Sequence, residues 1–563
     1  MTRRLAIVAS VALAAAALGF GLWRALGAAW LADDSFISFR YAEQLVRGHG
    51  LVYNAGEHVE GYTNLLWTVL VAAALRLGIA PETSANALGL ACWLALVALL
   101  GWRSWRRARP RAFFPLAAAL VLLMEDFQTW ATGGLETSLF ALLVVTGLLL
   151  ASRRHARPRR LVLAGAILVA AVATRPDGVI FAAVAVVGAW LVNDDLYPRE
   201  RFNLVATLVL PLGAGGLALA VFKLLYYGDL FPTAFYSKSA LDPYYTQGLY
   251  YVYLFFEKNW FLLPLVLTVI ALAIAGRGRP RPPFTRTHGV LLAAFLVFTA
   301  YVAHSGGDFM FARRLIPALP LLFIVVEDLI AALGGWPVRA AVAALVAVGV
   351  ALPYPIYATP TERLRGVANE PAYYTPPLVE LRRAQARVAA RVLGGAPVRA
   401  MYEGGMCMFG YYSGLPYLVE MTGLTQYSLA KAPLEARGHV GHEKVASPQW
   451  MTDHDIHFIF AQQPPDPQAG ARVDEIVFGG ILKARIWTYV DAIMDPLRGH
   501  PDVRFVPIEG TLREAQRHIE TASPEEARRI YAVLQRYYFQ AAGPEKKPLA
   551  DALLKRVEAR RAR

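Results

Sequence analysis

Long apolar runs recur from residue 5 to residue 357 and then stop, and this break constrains the fold more than any single motif. Many of the runs approach the roughly 20 residues that a helix needs to cross a bilayer. Hydrophobic residues make up 56% of the 563 residues, mean hydropathy is +0.39 and charged residues are only 17%, values foreign to a soluble enzyme of this length. Past residue 357, charges, prolines and short alternating runs take over, with helical periodicity over 376–393 and short strand-like runs at 398–402 and 457–461. The expectation is a polytopic α-helical membrane domain over 1–357 and a soluble mixed α/β domain over 358–563, large enough for its own core.

A net charge of +14 could signal nucleic acid, but its placement argues otherwise. Arg103, Arg106, Arg107, Arg109 and Arg111 form one cluster, and Arg153, Arg154, Arg157, Arg159 and Arg160 a second. Arg277, Arg279, Arg281 and Arg286 form a third. All three lie between apolar runs, as the positive-inside rule requires of cytoplasmic loops, so no nucleic-acid partner is implied. Arg3 and Arg4 then start an uncleaved helix, 5–31, that delivers residues 33 and 34 to the outside. Parity lets only one of the stretches 62–79 and 85–102 cross, and 62–79 is assigned to the outer leaflet. The alternation gives about eleven transmembrane helices in the cytoplasmic (inner) membrane, with the C-terminal domain extracytoplasmic, that is, periplasmic. Cys92 and Cys407 imply no disulfide framework.

On this topology Asp33 and Asp34 emerge where the first helix leaves hydrocarbon. They open an outer-face loop over 32–62 that carries Gly48, Gly50, Asn54, Glu57 and Glu60. A carboxylate at that depth is costly unless paired or functional. One explanation is a helix cap; the other is general-base chemistry, or a divalent cation (Ca²⁺, Mg²⁺ or Mn²⁺) held by both acids. The same face gathers Thr132–Thr137, Arg175-Pro176-Asp177-Gly178, Tyr226-Tyr227-Gly228 with Lys238, and His304-Ser305-Gly306-Gly307-Asp308 with Arg313 and Arg314. Together they describe an outward cavity with acids at one end and cations suited to phosphate. Eight tyrosines between Tyr226 and Tyr253 fit a membrane aromatic belt at least as well as sugar stacking. His439, His442, His454 and His457 match no tetrahedral zinc spacing.

Taken in order, these stretches resemble the GT-C superfamily of polyprenyl-phosphate-dependent glycosyltransferases, and more narrowly the mycobacterial terminal β-(1→2)-arabinofuranosyltransferase family. The matching set is the Asp33-Asp34 loop, Gly134-Leu135-Glu136-Thr137, Arg175-Pro176, Tyr226-Tyr227-Gly228 with Lys238, Gly306-Gly307-Asp308-Phe309-Met310 with Arg313, and Gly441-His442-Glu443-Lys444. Gly61-Tyr62-Thr63-Asn64 departs from the mycobacterial pattern, and the final hundred residues have no match. The resemblance implies transfer of a sugar, arabinofuranose in that family, from a polyprenyl-phosphate donor to an envelope glycan, lipid-linked or protein acceptor outside the bilayer. It implies Asp33 or Asp34 as general base and, since such enzymes commonly invert, no covalent intermediate. Arg175, Lys238, His304, Asp308, Arg313, His442 and Lys444 would hold donor phosphate and sugar, with Glu57, Glu60 and Glu136 supporting acceptor or loop. Competing readings are a mannose or aminoarabinose donor, and a transporter or binding protein for the same lipid without catalysis.

Overall fold

A computed structural model describes the chain except residues 1–2, 108–113, 276–283, 462–473, 489, 507–522 and most of 526–546, together with 560–563. Arg109, Arg111, Arg277, Arg279 and Arg281 therefore lie outside the described residues. The chain divides into two compact units. The first comprises 1–51, 58–375 and 433–443; the second comprises 52–57, 376–432 and 444–563. The change of unit at 375/376 comes later than the drop in hydropathy at 357/358, and two short segments cross between units.

The first unit is helical. Pro81–Arg107, Pro198–Tyr227 and Arg286–His304 are long and apolar enough to cross a membrane. Leu210, Leu217 and Leu225 on the second of these are 66–84% exposed, an apolar surface that water does not favour and lipid does. Helix Pro158–Thr174 packs between Thr137–Ala151 and Pro198–Tyr227, and Leu319–Leu333 is buried along nearly its whole length. Among the described residues, the three long helices alone pass as single full-length spans, and the other apolar runs form shorter helices or fold in pieces. The run at 113–126 breaks at extended Met124 into Leu116–Leu123 and Glu125–Ala131, where two acids begin a new helix. Tyr245–Lys258 and Leu262–Leu272 meet at an 87° bend. Leu65–Arg76, with 12 residues, spans about 18 Å and is too short to cross.

The expected loop 32–62 is only partly a loop. Residues Ser35–Val46 form a helix, with Phe36, Phe39 and Tyr41 buried among its neighbours. Residues 52–57 belong to the second unit. There the Asn54 amide donates to the Leu418 carbonyl at 2.9 Å and its oxygen accepts from the Leu418 N–H at 3.0 Å.

A hairpin of β1 (Arg363–Leu364) and β2 (Val367–Ala368) closes the first unit. The second unit is built on a six-stranded sheet: β3 (Arg399–Tyr402), β4 (Tyr417–Glu420), β5 (Phe458–Phe460), β6 (Asp474–Phe478), β7 (Leu482–Ile486) and β8 (Val503–Val506). Its order is β4-β3-β5-β7-β6-β8, with β4, β3 and β5 parallel and the remainder antiparallel. The parallel strands are buried throughout apart from the edge residue Arg399, as continuous apolar runs in a parallel sheet should be. Helix Pro376–Leu393, over the stretch with helical periodicity, packs on β6 and β7.

Candidate active site

The acid pair is delivered by a tightly tied turn. Trp30 Nε1 donates to the Thr129 carbonyl at 2.9 Å, and the Ala32 N–H to the Gly133 carbonyl at 3.0 Å. Gly134, with φ +75°, lets that partner strand of chain turn where a side chain would meet Leu31 and Ser35. Asp33 is buried, and Asp34 occupies the N-cap position of Ser35–Val46 while making no side-chain cap hydrogen bond. The Ser35 hydroxyl bonds back to the Ala32 carbonyl at 2.6 Å instead. Helix capping therefore does not account for the Asp34 carboxyl. Burial pushes it up to about 6, with Asp33 and Asp308 adding to the rise and Arg313 and Lys238 opposing it.

Behind this turn lies a lattice of buried charges. The fully buried Glu136 carboxylate accepts from Arg175 at 2.6 Å, Arg313 at 3.2 Å and the Asn64 amide at 2.8 Å. Burial opposes its ionisation, but the two guanidinium groups win and hold it down at about 2. The other fork of Arg175 donates to Asp177 at 3.0 Å, which also accepts from Tyr301 at 3.2 Å and faces Arg314 at 3.7 Å. Arg175 is thus saturated with carboxylates. Arg313 shares Glu136 and donates to the Met310 sulfur at 3.1 Å, while its Nε, like that of Arg314, lacks a partner among the described residues. Ala312 adopts φ +64°, a left-handed conformation that costs a non-glycine residue about 1 kcal/mol and helps to turn this segment.

Asp308 forms the opposite wall. It is buried, its Oδ1 lacks a hydrogen-bond partner among the described residues, and the Lys238 ammonium stands 4.0 Å away. Burial would raise this carboxyl, yet Lys238, Arg313, Arg314 and Arg175 together hold it below its ordinary range. The preceding Gly306 and Gly307 both have positive φ, 84° and 75°. The space beside Gly307 is filled by the Tyr251 ring, so packing requires the glycine there. His442 sits edge-on to Phe309 at 4.9 Å and within 2.9 Å of His439, which bonds the Gly366 carbonyl at 3.0 Å. Burial, then His439 and Lys238, lower His442 to about 4, so it is a neutral imidazole at physiological pH.

One acid went unread in the sequence. Glu370 is buried in a short 3₁₀ turn after β2, brought in by the bridge between Met310 and Ala368. The Ala368 N–H donates to the Phe309 carbonyl at 2.7 Å, and the Phe311 N–H to Ala368 at 3.1 Å. Burial, then the charges of Asp34, Asp308 and Asp33 against that of Arg363, raise Glu370 to about 8. The composition boundary placed residue 370 in the soluble domain, and only its position directly after the last apolar run hinted otherwise.

The other expected residues make contacts of their own. Glu60 pairs with Lys223 at 2.8 Å, and its carbonyl accepts from Thr233. His304 bonds the Tyr245 hydroxyl at 3.1 Å. Glu57 and Lys444 belong to the second unit, where Asn54 donates to Glu57 at 3.3 Å and Lys444 donates to the Ala430 carbonyl at 2.7 Å. The tyrosines divide as well: Tyr251 is fully buried and donates to the Met310 carbonyl at 3.0 Å, whereas Tyr245 and Tyr253 are exposed. Among the described residues, no three His, Cys, Asp or Glu side chains gather as metal ligands. Asp34 interacts electrostatically with the cations Arg313 and Lys238 and also with the carboxylates of Asp33 and Asp308.

No family model matches the chain. Among curated proteins, the terminal β-(1→2)-arabinofuranosyltransferase of Mycobacterium tuberculosis is 29% identical over 352 residues, covering 56% of this chain and 54% of that protein. The protein of the same name from Corynebacterium glutamicum is 29% identical over 348 residues, 54% of this chain and 48% of that one. The chain thus spans about half the length of the curated relatives it matches. Among solved structures, apo ArnT from Cupriavidus metallidurans aligns with a TM-score of 0.49 and 13% identity over 85% of this chain and 98% of that one. The same protein bound to undecaprenyl phosphate gives 0.44 and 13% over 74% and 86%. The resemblance carried by the ordered motifs is matched by sequence: over some 350 residues, this chain is similar to the terminal β-(1→2)-arabinofuranosyltransferases.

Proposed function

We propose that the protein is a membrane glycosyltransferase that moves a pentose, arabinofuranose in the first instance, from a polyprenyl-phosphate donor to an envelope acceptor. The observation that carries this reading is Asp34: a carboxyl without a cap bond, poised near neutral pH, with Lys238 and Arg313 facing it. A base works best when its pKa lies near the working pH. In the proposed step the acceptor oxygen bonds to the anomeric carbon and gives its proton to Asp34. The bond from that carbon to the donor phosphate breaks, and its electron pair leaves with the phosphate. Lys238, the free edge of Arg313 and Arg314 neutralise the departing charge. Arg175 and Glu136 hold Arg313 in place, and Asp308 orients Lys238. One base and no covalent intermediate correspond to inversion. No step is routed through a metal ion.

Support for the sugar comes from the names of the two curated relatives, which are arabinofuranosyltransferases. The orientation is proposed on charge alone: arginine loops in the cytoplasm, the acid pair and the α/β unit on the outer face of the inner membrane. The assay is incubation of the purified full-length chain with polyprenyl phosphates carrying arabinofuranose, mannose or aminoarabinose and with envelope glycan, lipid-linked or protein acceptors. Transfer from the arabinofuranose donor is expected. Binding of every donor with transfer from none would make the protein a lipid-binding or transport protein instead.

A further inference from the structure

A cavity of about 330 Å³ opens between the start of helix Glu125–Ala131, the segment 353–360 and Glu370, within the size range of small-molecule sites. Its walls are unlike the phosphate-facing side. Glu125, Asp126 and Glu370 line it, and its one ammonium, Lys258, is already held by Asp126 at 2.8 Å and Glu125 at 3.4 Å. No spare cation remains there for a phosphate. The rings of Trp130 and Phe311 supply flat apolar surface, and the Tyr357 hydroxyl has no hydrogen-bond partner among the described residues. The segment 353–360 that forms one side contains three prolines, positions that offer carbonyls but no N–H. Acceptors therefore outnumber donors. Such a lining suits a ligand that is uncharged, rich in hydroxyl donors and able to lay C–H surface on aromatic faces.

Two residues join this cavity to the acid pair. Glu370 lines it and interacts electrostatically with Asp33, Asp34 and Asp308. Trp130 lines it too, while its ring takes the Arg313 guanidinium at 5.8 Å and meets the Trp30 ring edge-on at 5.4 Å. Trp30 lies just before Asp33 in the chain. A hydroxyl held in the cavity would thus stand against Glu370 and one ring contact away from the turn that carries Asp33 and Asp34. We propose that this cavity is the acceptor subsite and that it takes the end of a neutral, hydroxyl-rich glycan, excluding the charged donor; this rests on the transferase reading above.

Tyr357→Phe and Glu125→Gln test the assignment without touching the base or the phosphate-facing cations. The tyrosine loses only a hydroxyl without a partner among the described residues, so thermal unfolding of Tyr357→Phe should not move. In transfer assays the double variant should raise acceptor KM by about tenfold, the scale of one or two lost hydrogen bonds. Donor KM and acceptor-free donor hydrolysis should stay within about twofold. Unchanged acceptor KM, or a rise in donor KM, overturns the assignment. Calorimetric titration with a neutral arabino-oligosaccharide separates the two ideas. If wild type transfers no sugar yet binds the oligosaccharide and the double variant does not, the transferase reading fails and the glycan site stands. If wild type does not bind it, the subsite is wrong.

Discussion

Two groups of charges share the first compact unit, and they are held in opposite ways. Around Glu136, Arg175 and Asp177, nearly every carboxylate oxygen meets a guanidinium or amide, and Glu136 is driven down to about 2. Around Asp34, Asp308 and Glu370, carboxyls raise one another's proton affinity, Lys238 stands 4.0 Å from Asp308, and Asp308 keeps an oxygen without a hydrogen bond among the described residues. Mutual satisfaction gives a rigid scaffold. Incomplete satisfaction leaves groups whose proton affinity and charge respond to a ligand. On the proposed mechanism the difference separates positioning from chemistry within a few residues of chain, as at Arg313, which takes part in both.

Breaking the scaffold should have the largest effect on stability. Glu136→Gln leaves Arg175 and Arg313 buried with a lost partner, which should cost about 3–5 kcal/mol. Denaturation of the detergent-solubilised chain, compared with wild type, measures it. The sign follows from the depressed carboxyl: its contribution is present above the ordinary glutamate range and disappears as pH falls through about 2. A loss below about 1 kcal/mol would mean that the lattice is as solvated as a surface pair.

The arginines sharpen the contrast. Arg175→Lys and Arg313→Lys both keep the charge and lose the fork. At Arg175, where both arms hold carboxylates, the change should lower stability more than it alters kinetics. At Arg313 it should raise donor KM or lower turnover by tenfold or more, about 1.5–3 kcal/mol, because on the proposed mechanism its remaining edge meets the donor phosphate. Equal kinetic damage at both positions would erase the distinction between scaffold and site.

How much of this could be read from residues alone follows the range of each signal. The Asp33-Asp34 pair, the helix at 376–393 and the strands near 398–402 and 457–461 are local patterns, and each has its counterpart in the fold. The helix Ser35–Val46 was hidden because polar residues interrupt its apolar face and a loop reading followed from the glycines after it. Ion-pair choice was not legible at all. Glu136 meets Arg313 across 177 positions, and no periodicity reports such a partner. Similarly, Lys444 follows His442 closely in sequence, yet the chain passes between compact units there. Glu370 shows the same limit: composition marks where the apolar runs end, whereas the hairpin's bridge to Met310 decides which unit the next residues join.

The central claim is that Asp34 is a base and not a structural acid, and the pH–rate profile of wild type beside Asp34→Asn tests it most directly. The raised carboxyl destabilises the fold once ionised, since its favourable contribution lies at low pH and is lost as pH rises through about 6. The asparagine variant should therefore be at least as stable as wild type at neutral pH. Wild-type turnover should fall about tenfold per pH unit below about 6, as the base takes up its proton. The variant should run at least about 10²-fold slower at neutral pH and lose that acid limb. A variant with turnover within about tenfold of wild type, or with the same limb, would contradict the account.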